Sequence, residues 1–445
     1  MGHWAVEPVS RRRWLPPFPE DSALIPHLRA GFNREYSADR YARLLELLRE
    51  RCRIAVEFRV AETPVFLRRS MLDEMAAAGA QLAKSLLANA QYLEAARQAI
   101  PPEYLVAGAE GHPNFLTADF ALVRDDSGTL VPKLVEIQAF PSVYAYQAVL
   151  ACAYREAYGL DPALGRYLCK LDDTLYWKLL TKTVLGRLDP ENVVLTEVDP
   201  LHQKTRPDFE VTSRKLGIAV VDITKLEAVG DRLHYRNTMG KLVPIHRIYN
   251  RAIADELIAR EIRLPFDIRR PWNVEWAGHP NWYFLVSKFS IPWLAREAGP
   301  GSVVPPAVFL DEFLKGDGKA QLRAAGVEVA DATGPDTVYP NLLLKPLFSF
   351  AGKGIHFDPT QADLEATPAG RQRDYLLQER MRFVHNIDTP CGMTQAEIRI
   401  LYLWPDDGIL TPVLPLVRLG RGKMMGVDHN RNQEWVGASA AFIEG

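Results

Sequence analysis

The chain has 445 residues, about three times the length of a typical single domain, so we expect several packed parts rather than one small module. Hydrophobic residues make up 47% of the sequence and charged residues 24%, a composition that excludes an intrinsically disordered chain. The 53 Lys and Arg residues nearly balance the 55 Asp and Glu residues, and the formal net charge of −2 excludes the overall positive charge of a dedicated nucleic-acid-binding protein.

Cysteine spacing and apolar runs predict a cytoplasmic protein without membrane contact. The four cysteines lie far apart and form no Cys-x-x-Cys pair, so neither a zinc site nor a dense disulfide framework is expected. Residues 1–14 lack the apolar core of a secretion signal. The longest uncharged run, residues 137–154, contains Gln138, Pro141 and Gln147, and we therefore expect buried soluble structure there rather than a membrane helix.

Residues 1–105 are predicted to form an N-terminal helical region. Tyr41, Leu44, Leu45 and Leu48 repeat at steps of three and four residues, which is the pattern of a helix with one buried face. This region carries no evident chemical motif.

Residues 106–190 are predicted to begin with a β-hairpin. The segment 118–140 alternates apolar and polar residues on both sides of an Asp-Ser-Gly turn, as two antiparallel strands would. Residues 150–190 then return to a helical pattern.

Residues 191–285 are predicted to form a Rossmann-like layer. Two β-branched segments, residues 193–198 and 218–223, flank a polar helical stretch as in a small βαβ unit. The first strand is not followed by GxGxxG, which disfavours a dinucleotide-dependent oxidoreductase. Residues 232–251 are expected to form a hairpin, and residues 286–445 are rich in predicted strands, so the fold class is α+β.

The segment 342–357, LLLKPLFSFAGKGIHF, contains the most informative residues for function. It places Lys345 inside an apolar strand and follows it with a small-residue loop. An unpaired buried ammonium costs several kcal/mol, so Lys345 should meet an anion, and phosphate beside a glycine loop is a good candidate. The alternative is a solvent-facing edge lysine followed by an ordinary turn. The segment is not a Walker A loop, because Leu347 and Gly354 stand where that motif needs Gly and Ser or Thr.

Two further groups of polar residues end or line predicted strands. Gln378 and Glu379 follow the apolar pair Leu376-Leu377, and such a strand end can serve as a hinge that binds a purine and its ribose; the alternative is a solvated surface position. Glu136 and Gln138 lie two residues apart and therefore on one side of a strand, where Asp119 on the neighbouring strand could complete an oxygen cluster suited to Mg²⁺.

In the order found here, these segments resemble a circularly permuted ATP-grasp enzyme of the glutathionylspermidine synthase-like carboxylate–amine ligases. In that group the metal-binding strand pair precedes the Rossmann-like layer, and the nucleotide-binding lysines and glycine loop follow it. The resemblance extends over roughly residues 110–445. It implies a permuted ATP-grasp-like fold in which residues 106–190 supply the metal-binding part, residues 191–285 the Rossmann-like pre-grasp domain, and residues 286–445 the nucleotide-binding subdomains.

The resemblance also implies roles for individual residues. Lys288, in the motif SKFSIPWL, matches the first nucleotide lysine, which the family carries on a helix, and Lys345 matches the second. The family's loop that folds over the β- and γ-phosphates of ATP corresponds here to Gly352, Lys353 and Gly354. The family's hinge that binds adenine and ribose corresponds to Gln378 and Glu379. The magnesium ligands match Asp119, Glu136 and Gln138.

Two positions depart from the family pattern. Gln138 stands where the family has Asn, and the extra methylene displaces the carbonyl oxygen by about 1.5 Å, although Mg²⁺ demands near-ideal octahedral geometry. Thr117 stands where the family tends to have an Arg that stabilises the acyl transition state. Arg418 resembles an arginine that faces the substrate, and either Arg399 or Arg418 is a candidate to replace the missing one.

The function implied by the resemblance is ATP-dependent joining of a carboxylate to an amine through an acyl phosphate, with ATP and Mg²⁺ as cofactors. The expected partners are a small molecule or peptide that carries the carboxylate and an amine acceptor. The departures at Gln138 and Thr117 leave open an alternative, a nucleotide-binding protein with a regulatory or scaffolding role and no turnover. A further basic group, His246, Arg247 and Arg251, is a candidate site for a substrate carboxylate or a solvated charged helix start.

Overall fold

The computed structural model describes residues 24–108, 111–299, 301–331, 334–348, 354–425 and 432–444. Elements of the N-terminal half are α1 (Pro26–Glu35), α2 (Ala38–Cys52), β1 (Val65–Arg68), α3 (Arg69–Ala88), α4 (Ala90–Gln98), β2 (Phe115–Arg124), β3 (Leu130–Gln138), α5 (Tyr144–Tyr158) and α6 (Asp173–Leu185). The middle of the chain forms β4 (Val193–Glu197), α7 (Arg206–Leu216), β5 (Ala219–Asp222), β6 (Glu227–Val229), β7 (Arg232–Arg236), β8 (Leu242–Pro244), β9 (Arg247–Asn250), α8 (Ala254–Ala259), β10 (Glu275–Ala277) and α9 (Trp282–Leu285).

The remaining elements form the C-terminal part. They are α10 (Ser290–Glu297), β11 (Ala307–Phe309), α11 (Leu310–Lys315), α12 (Asp317–Ala324), β12 (Leu342–Pro346), β13 (His356–Phe357), α13 (Gln361–Glu365), β14 (Tyr375–Glu379), β15 (Gln395–Leu403), β16 (Thr411–Gly420) and β17 (Gly437–Glu444). In the described part of the chain, no helix combines the length and the apolar composition that crossing a membrane requires.

The largest sheet joins strands from distant parts of the sequence. Its order is β1-β17-β16-β15-β2-β3, and the edge strand β1 pairs in parallel with β17 at the other end of the chain. The region predicted as helical, residues 1–105, therefore also supplies a strand and the helix α3 that packs on this sheet. The hairpin β2–β3 forms as predicted, with a turn over residues 125–129.

The two faces of this six-stranded sheet have different surroundings. Ala118 and Phe120 on β2 point to the face that packs on α3, where they join a large apolar core. The alternate residues point the other way, because successive strand residues face opposite sides. On that face Leu401 and Leu403 join a second core with α5, whereas Glu397 and Arg399 line a cavity.

Two smaller sheets flank the central one. In the parallel sheet β10-β9-β4-β5, the elements β4, α7 and β5 form the predicted βαβ unit, whereas the assignment of a Rossmann-like domain stays a prediction. The antiparallel sheet β11-β14-β12-β13 brings Lys345 and Gln378 onto neighbouring strands. The predicted hairpin within 232–251 is β7–β8, and it belongs with β6 to a three-stranded sheet of its own. The described residues thus form a mixed α/β structure with several sheets.

Candidate functional site

A cavity of about 590 Å³ is lined by both the six-stranded sheet and the sheet β11-β14-β12-β13. Two carboxylates, Glu136 and Glu397, are among the described residues that line it. Basic side chains outnumber them, and these are Lys288, Lys345, Arg380, Arg382, Arg399, Arg418, Arg421 and Lys423. Such an excess of positive charge along one cavity favours an anionic ligand.

The register of the β2–β3 hairpin brings the predicted oxygen cluster together. Asp119 lies opposite Glu136, and Thr117 lies opposite Gln138. The Gln138 amide donates to Glu136 Oε1 at 2.7 Å, so these two side chains share one side of β3 as the strand period predicts. Glu136 and Gln138 both line the cavity, whereas the Asp119 side chain is fully buried beneath its floor.

Asp119 is bound by two arginines that come from elsewhere in the sequence. Arg399 Nε and Nη2 donate to its two oxygens at 2.6 Å each, and Arg418 Nη2 donates to Oδ2 at 2.5 Å. Burial alone would lower the pKa of the Arg399 guanidinium, but the carboxylates of Asp119, Glu136 and Glu397 together outweigh burial, so the pKa is raised. Arg399 is therefore held charged at the floor of the cavity, and Arg418 donates to the same carboxylate.

Glu397 is a site residue that the sequence prediction omitted. It is buried, it forms an ion pair with Arg418, and its pKa is raised because burial disfavours the anion more than Arg418 stabilises it. The sequence could have indicated it, because Glu397 and Arg399 lie two residues apart in an otherwise apolar strand and therefore on the same face. Four further cavity bases were also omitted, namely Arg380, Arg382, Arg421 and Lys423.

Lys345 is buried as predicted, but the structure gives it a neutral partner. Its ammonium donates to Gln378 Oε1 at 2.6 Å, and the expected contact with an anion such as phosphate stays a prediction. Burial lowers the pKa of Lys345 to about 8, although the nearby Glu136 carboxylate opposes this shift. A ligand anion in the cavity would restore the charge that burial disfavours.

Gln378 and Glu379 do not share one environment. Gln378 is fully buried, and its Nε2 is without a hydrogen-bond partner among the described residues. Glu379 is half-buried, and desolvation raises its pKa. The Gln378 amide nitrogen is thus a donor without a partner, close to Lys345. A role for Gln378 and Glu379 as a purine hinge stays a prediction.

Lys288 occupies a different element from the one that the family resemblance implied. It lies in the turn between α9 and α10, so its placement on a helix was wrong. Its ammonium lies 3.8 Å from Glu136 Oε2 and faces the cavity. Of the predicted glycine loop, Gly352 and Lys353 fall outside the described residues. Gly354 has φ +74°, a backbone conformation that favours glycine.

The basic group near residue 250 is structural rather than an open anion-binding site. The Arg247 guanidinium is buried and forms ion pairs with Glu275 and Asp406, at 2.7 and 2.8 Å. Arg251 is also buried and forms an ion pair with Asp208 at 2.8 Å. Because these guanidinium groups already have protein carboxylates as partners, neither reading made from the sequence describes them.

The site fits a divalent cation only in part. No group of three or more His, Cys, Asp or Glu side chains in the described ranges is arranged to hold a metal ion. The oxygens of Asp119 are occupied by guanidinium groups. Glu136 is partly exposed to the cavity and Gln138 lies beside it, so these two residues fit the carboxylate and carbonyl oxygens that Mg²⁺ prefers.

Comparison with known proteins gives matches among solved structures. No protein-family model matches the chain, and no curated protein matches it. Among solved structures, the chain is similar to a glutathione synthetase-like effector from Globodera pallida, with a TM-score of 0.52 and 12% sequence identity. The match covers 92% of this chain and 99% of the effector's chain, so the likeness extends over the whole architecture. The chain therefore has a glutathione synthetase-like fold.

Proposed function

We propose that this protein is an ATP-dependent carboxylate–amine ligase of the ATP-grasp type. The observation that carries the proposal is the cavity between two sheets, which eight Lys and Arg side chains and two carboxylates line and in which Lys345 is buried. A triphosphate matches this charge, and the glutathione synthetase-like fold supports the class of reaction. The order of the segments along the chain supports a permuted form of the fold.

In this proposal Lys288 and Lys345 bind the phosphates. Both ammonium groups face the cavity from different elements, so they can contact the phosphate chain from two sides. Phosphoryl transfer asks little covalent chemistry of the protein, and positioning together with charge stabilisation supplies most of the rate enhancement. Glu136 and Gln138 would hold a magnesium ion, which offsets phosphate charge when it is bound.

The proposed reaction has two steps. An oxygen of the substrate carboxylate forms a bond to the γ-phosphorus of ATP, the bond between that phosphorus and the ADP oxygen breaks, and ADP leaves. The amine nitrogen then bonds to the acyl carbon, the C–O bond to phosphate breaks, and the amine proton is released. Arg399 and Arg418 would stabilise the negative charge on the acyl oxygen, where one such donor contributes about 3–4 kcal/mol.

The first experiment measures ADP and phosphate release with Mg-ATP and pooled amino acids, peptides and polyamines. The variants Lys345→Met and Glu136→Gln are compared with wild type, and Lys178→Met, an exposed lysine outside the cavity, is the matched control. The ligase is supported by acceptor-dependent turnover that both cavity variants lose and the control keeps. Turnover that survives in both cavity variants places the activity elsewhere.

A second function, nucleotide binding without turnover, is favoured by one observation. The Asp119 oxygens are already bound by arginines, so the three-residue metal site of the family is incomplete in this geometry. Under this alternative, ATP raises the melting temperature through the same lysines, and no pool of acceptors stimulates ADP release. If neither ATP nor Mg²⁺ at millimolar concentration shifts the melting temperature, both functions are rejected.

A further inference from the structure

Asp119, beneath the floor of the cavity, has a contact pattern unlike that of Glu136, which lines it. Both of its oxygens accept hydrogen bonds from guanidinium groups, two from Arg399 in a parallel fork and one from Arg418. Paired N–H donors in this geometry match a carboxylate in direction as well as charge. The Asp119 side chain has no exposure to the cavity, whereas Glu136 is 21% exposed.

A divalent cation at Asp119 would have to reach a carboxylate that is buried and already accepts three hydrogen bonds from guanidinium groups. Asp119 Oδ2 accepts two of these bonds, and Mg²⁺ requires oxygen ligands at about 2.0–2.1 Å in a near-ideal octahedron. The metal would then lie beside two buried guanidinium groups of the same charge. At Glu136, by contrast, the nearest cations are farther away, with Lys288 at 3.8 Å and Arg399 at 3.6 Å.

We propose that Asp119 is a positioning residue that fixes Arg399 and Arg418, and that the divalent cation accompanying the nucleotide is bound by Glu136 without a direct bond to Asp119. This inference rests on the proposed function, because it describes the same cavity with its nucleotide. It assigns the metal to one protein carboxylate, which suits Mg²⁺, since that ion usually keeps several waters and takes its other ligands from phosphates.

The arrangement of Arg418 shows what Asp119 contributes. Arg418 Nη2 donates to both Asp119 and Glu397, so two carboxylates hold one corner of the guanidinium. Arg418 Nε is buried and has no hydrogen-bond partner among the described residues, and the side chain lines the cavity. Asp119 therefore orients a guanidinium side chain that lines the cavity, where an anionic ligand would bind.

The first measurement is Mn²⁺ affinity in the presence of ADP, followed by electron paramagnetic resonance. Two carboxylate-to-amide variants are compared, Glu136→Gln and Asp119→Asn. We expect Glu136→Gln to weaken Mn²⁺ binding by about tenfold or more, and Asp119→Asn to change it by less than about twofold. A folded Asp119→Asn protein that loses Mn²⁺ as strongly as Glu136→Gln overturns the inference.

A second measurement does not depend on the stability of the Asp119 variant. The Nε–H of Arg399 donates to Asp119, and its ¹H–¹⁵N signal can be assigned with the variant Arg399→Lys. In wild-type protein with ADP, addition of Mg²⁺ should leave this signal in place, because Asp119 stays paired with Arg399. Loss or displacement of the signal on Mg²⁺ addition would show that the metal takes Asp119.

The outcomes separate this inference from the proposed function. If wild-type protein binds neither ADP nor Mn²⁺ with ADP, the proposed function is rejected and the metal assignment to Glu136 falls with it. If ADP and Mn²⁺ bind but Asp119 is required for the metal, this inference is rejected and the proposed function stands.

Discussion

Lys345 donates its ammonium to Gln378 Oε1 across two neighbouring strands, and both side chains are buried in the sheet that covers the cavity. A neutral amide satisfies one of the three ammonium donors and none of its charge. The protein therefore keeps a cation in a desolvated position, where burial lowers the pKa of Lys345 to about 8. The buried ammonium destabilises the folded protein when no ligand is bound, and an anion bound beside it would offset this cost.

Deprotonation of Lys345 should make the free energy of unfolding depend on pH. Its pKa is about 8 when folded against a model value of 10.5, so between these values the unfolded chain binds more protons and stability rises with pH. Relative to Lys345→Met, wild type should gain about 2–3 kcal/mol between pH 7 and pH 10. Urea unfolding at several pH values measures this difference.

The exposed-lysine variant Lys178→Met serves as the control for that series, and its difference from wild type should not change with pH. A difference between wild type and Lys345→Met that is equally flat would contradict the lowered pKa. Because a bound phosphate favours the ammonium, ADP binding at pH 8.5 should also be accompanied by proton uptake in wild type and not in Lys345→Met.

Ionisation of Glu197 should make the protein less stable as pH rises, which is the opposite of the effect of Lys345. It lies at the end of β4, and burial raises its pKa from 4.5 to about 8 although the Arg251 guanidinium opposes this shift. The folded state then binds more protons than the unfolded chain between these values, so the stabilising effect is complete below pH 4.5 and is lost as pH rises through 8.

The variant Glu197→Gln, which resembles the protonated acid, should match wild type near pH 5. At pH 8.5 it should be more stable than wild type by about 3–5 kcal/mol. Chemical unfolding at the two pH values gives the comparison. Equal differences at both values would mean that Glu197 is ionised throughout.

The buried ion pair of Asp208 and Arg251 should be costly to break from one side. Arg251 Nη1 lies 2.8 Å from Asp208 Oδ2, and both side chains are buried. The variant Arg251→Met leaves the Asp208 carboxylate without its partner, and we expect a loss of about 3–5 kcal/mol in the free energy of unfolding.

The double variant Asp208→Asn/Arg251→Met removes both charges and should recover part of this loss. Urea unfolding of the two single variants and the double variant provides the cycle. If the losses of the single variants simply add in the double variant, the two side chains do not interact in the folded protein.

Substitution of Gly79 by alanine should be destabilising even though Gly79 lies within a helix. A Cβ at this position of α3 would lie 2.9 Å from Ala118 Cβ and closer still to the Tyr402 hydroxyl. Alanine normally stabilises a helix by about 0.5–1 kcal/mol relative to glycine, but overpacking costs about 1–3 kcal/mol, so Gly79→Ala should be destabilising.

Gly31 offers a matched control for this substitution. It lies in α1, and the nearest atom to its added Cβ, in the Arg34 side chain, is 4.0 Å away. Gly31→Ala should therefore raise the melting temperature or leave it unchanged. Thermal unfolding of Gly31→Ala and Gly79→Ala, each against wild type, measures the difference. A stabilising effect of Gly79→Ala would mean that α3 does not pack closely on the sheet.

The sequence alone determined the elements that depend on neighbouring residues. The alternation on both sides of the Asp-Ser-Gly turn predicted the hairpin β2–β3, and the βαβ pattern predicted β4, α7 and β5, because periodicity and turn chemistry act over a few residues. The two-residue strand period also placed Glu136 and Gln138 on one side of β3.

The tertiary structure decided which distant residues meet. Asp119 is paired with Arg399, which lies 280 positions away, and β1 is paired with β17 from the other end of the chain. No local pattern encodes such contacts, because they depend on the order and register of strands that pack together only in the folded chain. For the same reason the sequence identified Lys345 as a buried cation that needs a partner, whereas only the fold supplied the amide of Gln378.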